Sequence, residues 1–549
     1  MVRETKDAVV IGAGHNGLVA ANLLASAGWD VVVCEAAPKA GGAVASGEVT
    51  VPGFRSDLYS AFYPLAAASP VIGGLHLEDH GLAWAHAPAV LSHVLPDGRA
   101  ATLWRDADRT AESLERFHPG DGAAWREITA QWDRIGPAVV ECLLRPFPPG
   151  RPLLGLLRAS GVDELLRLAR LALQPVRRFG EERFGGEGGP LLFAGNALHA
   201  DLPPDGAGSG LYGWLLCMLG HRYGFPAPVG GADALIDALV RRLAAHGGEL
   251  RVDSRVEAVE VLGGTATGVR LASGEHIAAR RAVLADVTAP PLFTELVGAR
   301  HLPSRFLDDL GNFEWDSPTF KIDWALSAPL PWQDEDTRGA GTVHLGADMD
   351  GLTDYAADLA TGRVPQHPFV LLGQMTTTDA TRSPAGTESA WAYSHLPRRR
   401  DGAEYTDEDV ARQVDIIEAL VERHAPGFRS SVLGRHVQSP ADLQAHDASL
   451  VHGALNGGTG QLHQQLVFRP VPGLAGPDTP IDRLYLASSS AHPGGGVHGA
   501  CGGNAAWLAL GRDTTVGRLR HAGRSALLRR LQGAPPSPDL HEVAHRGQP

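Results

Sequence analysis

A chain of 549 residues exceeds one ordinary domain, and its 44% hydrophobic and 20% charged residues predict a globular protein of two intertwined domains with a substantial core. The net charge of −14, from 62 acidic against 48 basic residues, argues against a general affinity for nucleic acid, which rests on phosphate neutralisation by Lys and Arg. Cys34, Cys142, Cys217 and Cys501 are scattered with no CxxC pair, and the 24 histidines include no HExxH or close His/Cys cluster, so neither a disulfide framework nor a metal site is expected.

The chain opens on MVRETKDAVVIGAG, a short apolar run that enters a glycine turn at once, as a first strand does and a signal peptide does not. No uninterrupted apolar run of about 18 residues follows, so no transmembrane helix is expected and a cytoplasmic location is the default. Ala8–Ile11 reads as a strand and Gly12-Ala13-Gly14-His15-Asn16-Gly17 as a turn. LVAANLLASAG then shows helical periodicity up to Gly28, and Val31–Cys34 is a second strand closed by Glu35. Gly12 permits the tight turn, Gly14 lets the backbone approach a pyrophosphate, and Gly17 lets the helix pack close to the sheet. Free N–H groups and the dipole at the helix start favour an anion there. Glu35, 18 residues after Gly17, stands where a carboxylate bonds ribose hydroxyls and repels a 2′-phosphate, which disfavours NADP. The whole order predicts a dinucleotide site in an α/β, Rossmann-type domain.

A second glycine-rich segment lies near the other end. Leu484-Tyr485-Leu486 leads through a small-residue loop into His492-Pro493-Gly494-Gly495-Gly496-Val497-His498-Gly499, and AAWLAL then looks helical. Such a loop brings backbone N–H groups against a phosphate, a ribityl chain or a flavin edge. Between the two segments, residues 251–287 alternate apolar and polar positions with turns at Gly263-Gly264 and Ser273-Gly274, a strand followed by a hairpin and another strand.

Glu35-Ala36-Ala37-Pro38-Lys39-Ala40-Gly41-Gly42-Ala43 resembles the E-x3-R-x-G-G stretch of the flavin-containing amine oxidase and phytoene desaturase superfamily, with Lys39 for the usual Arg and Ala43 where a second Arg often stands. The C-terminal segment resembles the closing FAD motif of the phytoene dehydrogenase-like family, especially its branch with ketolase-type enzymes and pyridine nucleotide-disulphide oxidoreductase domain protein 2. Asn196–Pro204 and Phe225–Gly231 look like further family landmarks, so the resemblance covers most of the chain. It implies FAD as cofactor and a discontinuous Rossmann-type FAD-binding domain at residues 1–75, 225–300 and 445–530. It also implies a mixed α+β substrate or cap domain at 76–224 and 301–444. The FAD contacts it implies are Gly12, Ala13, Gly14, His15, Asn16, Gly17, Glu35, Ala36, Lys39, Gly41, Gly42, Ala43, Val256 beside adenine, Ser488, Ser489, Pro493, Gly494, Gly495, Val497 and His498.

Arg151–Arg178 interleaves leucines with arginines. It reads as a pair of cap helices with arginines in solvent, or as a basic amphipathic surface for peripheral membrane contact. The Pro-rich tail at 533–549 reads as disordered. No catalytic residue is assigned, because a C–H donor needs only to lie over the flavin ring. His492 and His498 flank the glycine loop, and an ordinary imidazole pKa of roughly 6.5 suits a proton carrier; the alternative is that His492 hydrogen-bonds to stabilise the loop and His498 contacts the cofactor. Asp57, His199 and Asp201 are further polar candidates, and Cys501 lacks the sequence context of a covalent flavin link. The resulting expectation is an FAD-dependent oxidoreductase of dehydrogenase or desaturase type, taking a hydride from a small apolar, polyene or carotenoid-like substrate. A flavin-dependent amine oxidase, a redox-neutral isomerase and a flavin-bound interaction protein without turnover stand as alternatives. Substrate identity, electron acceptor and oligomeric state are not legible.

Overall fold

β1 (Glu4–Ile11) carries Ala8, Val9, Val10 and Ile11 into the interior, all buried, in a computed structural model that describes residues 4–399, 403–512 and 514–533. Apart from Gly533, the tail expected to be disordered lies outside the described residues. β1 pairs in parallel with β2 (Val31–Cys34) on one side and with His276–Ala285 on the other. All three are continuous apolar runs where they meet, as strands buried on both faces require. The sheet extends past β2 to Glu249–Arg251, and past His276–Ala285 to the antiparallel hairpin Val256–Leu262 and Thr265–Leu271, which turns at Gly263-Gly264 as the sequence predicts. Leu484–Leu486 completes its seven strands in parallel beside Val283–Ala285, so chain from both ends shares one sheet.

α1 (His15–Ser26) is buried over most of its surface, and the helix Ala500–Gly511 packs against it. The approach is as close as backbones permit: a Cβ added at Gly502 would stand 1.9 Å from the Asn16 carbonyl oxygen.

A second seven-stranded sheet runs in the order Val432–Gln438, Thr319–Leu326, Glu388–His395, Val370–Gln374, Ala340–Leu345, Ala89–Val94, Ala100–Leu103. Its strands alternate faces. Phe320, Ile322 and Trp324 join Val414, Ile417 and Val421 of the helix Asp407–His424 in one core cluster. Thr319, Lys321 and Asp323 take the opposite face, in register with His395, Tyr393 and Trp391. The leucine- and arginine-rich segment forms a helix over Gly150–Leu171, broken at Gly161 with φ +75°, and a second over Val176–Arg183. Only Leu156, Leu168 and Leu171 of the first are buried. Among the described residues no helix is long and apolar enough to cross a membrane.

Candidate active site at the meeting of the two glycine segments

Gly12 ends β1 at φ +89°, and Gly14 caps α1 with no side-chain hydrogen bond and no acid in the first turn. The first-turn N–H groups are therefore left to other partners. The second glycine pair folds back onto this turn. The Gly41 N–H donates to the Ala13 carbonyl at 2.9 Å, and a Cβ on Gly42 would stand 3.5 Å from Gly14 Cα. The C-terminal segment closes on the same place: the Gly502 N–H points at Asn16 Oδ1 at 3.4 Å, His15 faces the Gly496 backbone, and Ser69 Oγ donates to the His498 carbonyl at 2.6 Å. Gly494, Gly496 and Gly499 hold φ of +107°, +103° and +66°, whereas Ser488, Ser489 and Ser490 stay outside the left-handed region, so serine is unstrained there.

Glu35 spans two N–H donors, with Oε2 accepting from Ala13 at 2.7 Å and Oε1 from Ala37 at 2.8 Å. Its carbonyl accepts the Ser254 N–H at 2.7 Å, which brings the chain leading to Val256 alongside, although the Val256 side chain itself is buried in the sheet core. Ala36 and Lys39 are exposed, and Ala43 is half-buried with its carbonyl on the Ser60 N–H. Pro493 follows a cis peptide bond, and Gly495 abuts Asn456.

The polar candidates separate. Burial pushes His492 down to about 4 and His498 down to about 3. His492 Nε2 meets the Arg145 carbonyl at 2.9 Å, and His498 Nδ1 accepts the Ala500 N–H at 3.0 Å. Both are thus neutral hydrogen-bonders near neutrality, which goes against the proton-carrier reading and with its alternative. Asp57 is buried against Arg382 at 2.9 Å and also takes Ser46 Oγ and the Ala232 N–H, a structural ion pair. The Cys501 thiol is buried, a free cysteine, and pushed up to about 12 by that burial. His199 and Asp201 diverge. His199 Nε2 meets His344 Nε2 at 2.8 Å, while Asp201 pairs with His395 at 2.8 Å beside a cavity of about 260 Å³ that Tyr355, Asp316 and Thr459 also line.

Several buried polar groups, at the site and in the second sheet, carry no reading from the sequence. Asp286 accepts the Gly17 N–H at 2.8 Å. Arg469, fully buried, donates to the carbonyls of Asn456, Gly457, Gly458, Thr459 and Ser489, while Asp316 accepts the N–H groups of Leu455, Asn456 and Gly458. The loop 455–459 is thereby clamped by its N–H groups on one side and its carbonyls on the other, and it supports the C-terminal glycine segment. Lys321 and Asp323 form a buried pair at 2.5 and 2.6 Å on the sheet face turned away from the helix Asp407–His424.

Residues 17–380 match the family model described as flavin containing amine oxidoreductase. The chain belongs to that family. Pyridine nucleotide-disulfide oxidoreductase domain-containing protein 2 of Rattus norvegicus is 30% identical over 91% of this chain and 93% of that protein. A neurosporene-forming phytoene desaturase of Rhodobacter capsulatus is 24% identical over 90% of this chain and 92% of its own length. Among solved structures, an oxidoreductase from Methanosarcina mazei superposes with a TM-score of 0.60 at 16% identity, covering 90% of this chain and 98% of that one. Like other members of the family, this protein is an FAD-dependent oxidoreductase. Its residues fit the cofactor: a helix N-terminus that opens on Gly14 without a capping side chain, a carboxylate at the end of β2, and glycines at each close approach.

Proposed function

We propose that this flavoenzyme removes a hydride from a small apolar substrate of isoprenoid or polyene type. The observation that carries this reading is an aliphatic wall beside the C-terminal glycine segment. Leu65 reaches over Gly496, where a Cβ would stand 2.6 Å from Leu65 Cδ1. Leu65 lies on the helix Pro64–Ala68, which packs against the helix Ser209–Tyr223, and Leu211, Leu215 and Leu216 of that helix are half-buried, as is Val497 in the glycine segment itself. Such a surface holds a hydrocarbon by area burial and keeps water from the reacting carbon. FAD, when bound, supplies the hydride acceptor. In this reading the start of α1 with Gly41 and Gly42 holds the phosphates, Glu35 the ribose, the Val256 strand the adenine, and Ser488–His498 the flavin end. The first sheet is then the core of the cofactor domain and the second that of the substrate domain. Anaerobic mixing of the holoenzyme with acyclic isoprenoid hydrocarbons, and separately with primary amines, tests the reading. Bleaching of the flavin by hydrocarbons is expected; bleaching by amines alone would overturn it.

Delivery of such a substrate is supported by the helix Gly150–Leu171, where Leu153, Leu154 and Leu166 are exposed beside Arg151, Arg158 and Arg167. Exposed leucines interleaved with arginines support a reading in which this helix makes peripheral contact with an anionic lipid surface. Co-sedimentation with anionic vesicles, weakened several-fold in a Leu154→Asp/Leu166→Asp variant, is expected; equal recovery of both chains with neutral and anionic vesicles would contradict it.

A further inference from the structure

Asp286 leaves the strand His276–Ala285 directly into the glycine turn. Its N–H donates to the Ile11 carbonyl at 2.8 Å, and its Oδ2 accepts the Gly17 N–H at 2.8 Å. That donor belongs to the first turn of α1, the place where free N–H groups and the helix dipole seat an anion. The turn crowds the same carboxylate: a Cβ on Gly14 would stand 2.6 Å from Oδ2, and one on Gly17 would stand 3.2 Å from it. The protein therefore sets a carboxylate of its own against the turn that receives the pyrophosphate.

Among the described residues, the groups facing Asp286 offer no compensating cation. Glu35 approaches from the end of β2, Asp447 from the segment after the helix Pro440–His446, and the Cys501 thiol from the C-terminal helix. His15, on α1, is kept neutral by burial, which lowers it to about 4. Asp447 also borders Gly42, where a Cβ would stand 3.3 Å from its Oδ2. An arriving pyrophosphate thus meets three acids, and like charges in a buried site repel strongly enough to force protonation.

We propose that Asp286 is a cofactor-positioning residue that accompanies bound FAD in its protonated form, so that FAD and one proton are taken up together. A protonated carboxyl keeps its carbonyl oxygen as acceptor for Gly17 and adds no charge to the anion seat. Burial, opposed by the Gly17 N–H and reinforced by Asp447 and Glu35, already lifts this carboxyl to about 7. The pyrophosphate lifts it further. Below that value Asp286 is neutral with or without FAD, and affinity is flat. Above it the chain must gain a proton to bind, so Kd rises up to about tenfold per pH unit until the pKa of the bound state is reached.

FAD release on dilution of the holoenzyme, followed by flavin fluorescence, should give a Kd about tenfold higher at pH 8 than at pH 6. The Asp286→Asn variant keeps the acceptor for Gly17 but cannot ionise, and its profile should be flat. Rebinding of FAD to the flavin-depleted wild-type chain in weakly buffered indicator solution near pH 7.5 should take up a proton, a readout that needs no variant. A flat wild-type profile, an unchanged slope in Asp286→Asn, or rebinding without proton uptake would overturn the proposal.

Discussion

A Gly17→Ala chain is expected to emerge from purification without flavin. The added Cβ would stand 2.2 Å from the Gly12 carbonyl oxygen and 3.1 Å from Asp286 Cβ. The first neighbour is backbone, locked by its own positive φ of +89°, and the second belongs to a carboxylate held by Gly17 itself. Neither can move aside as a flexible side-chain end would, so α1 must lift from the sheet and carry its N-terminal N–H groups with it. Overpacking of this kind costs about 3 kcal/mol, which as lost binding is roughly a hundredfold in Kd for FAD. Gly73→Ala is the control, because Gly73 has an ordinary φ and nothing within 4 Å of an added Cβ. It should retain FAD. Fluorescence titration of both variants checks this, and equal affinity in the two would show that the close packing at Gly17 does not govern binding.

The second large effect concerns Lys321 and Asp323. Both are buried, with side chains 3% and 0% exposed, and the ammonium meets both carboxylate oxygens. Burial pushes the Asp323 carboxyl up, Lys321 pulls it down, and Asp57 pushes it up again. Removing the cation leaves an uncompensated acid inside the protein, which typically costs about 3–5 kcal/mol, whereas replacing both charges by apolar groups of similar volume is often near neutral. Lys321→Met should therefore lower the unfolding midpoint strongly, and Lys321→Met/Asp323→Leu should recover most of the loss. A single variant as stable as wild type, or a double variant no better than the single, would contradict the account. Denaturant titration of the three chains measures it.

What was legible in the sequence follows the range of the interactions. The turn Gly12–Gly17, the acid Glu35 and the pair Gly41-Gly42 lie within a few dozen residues, and each obeys a local rule about φ, close approach or helix termini. The C-terminal loop was legible for the same reason. Asp286 was not, because its partner Gly17 is 269 residues away and only the parallel register of β1 with His276–Ala285 brings them together. A lone acid directly after an apolar strand, in Ala285-Asp286, was the available signal. Arg469 carried no signal at all: its partners are backbone carbonyls, which any sequence supplies. Lys321 and Asp323 are visible as charges that follow Thr319 on alternate positions of a strand whose other residues are apolar, a pattern that marks one sheet face but does not reveal that the face is buried. His492 and His498 are legible as members of the glycine loop, but their neutrality comes from burial, which the local sequence does not reveal.

The most direct test of the account is the visible spectrum of the purified protein together with the identity of the cofactor released by heat. A flavin spectrum that survives gel filtration, with FAD recovered at about one per chain, is the predicted result. A protein that stays colourless after incubation with FAD, or that releases NAD instead, would contradict the site built here from the two ends of the chain.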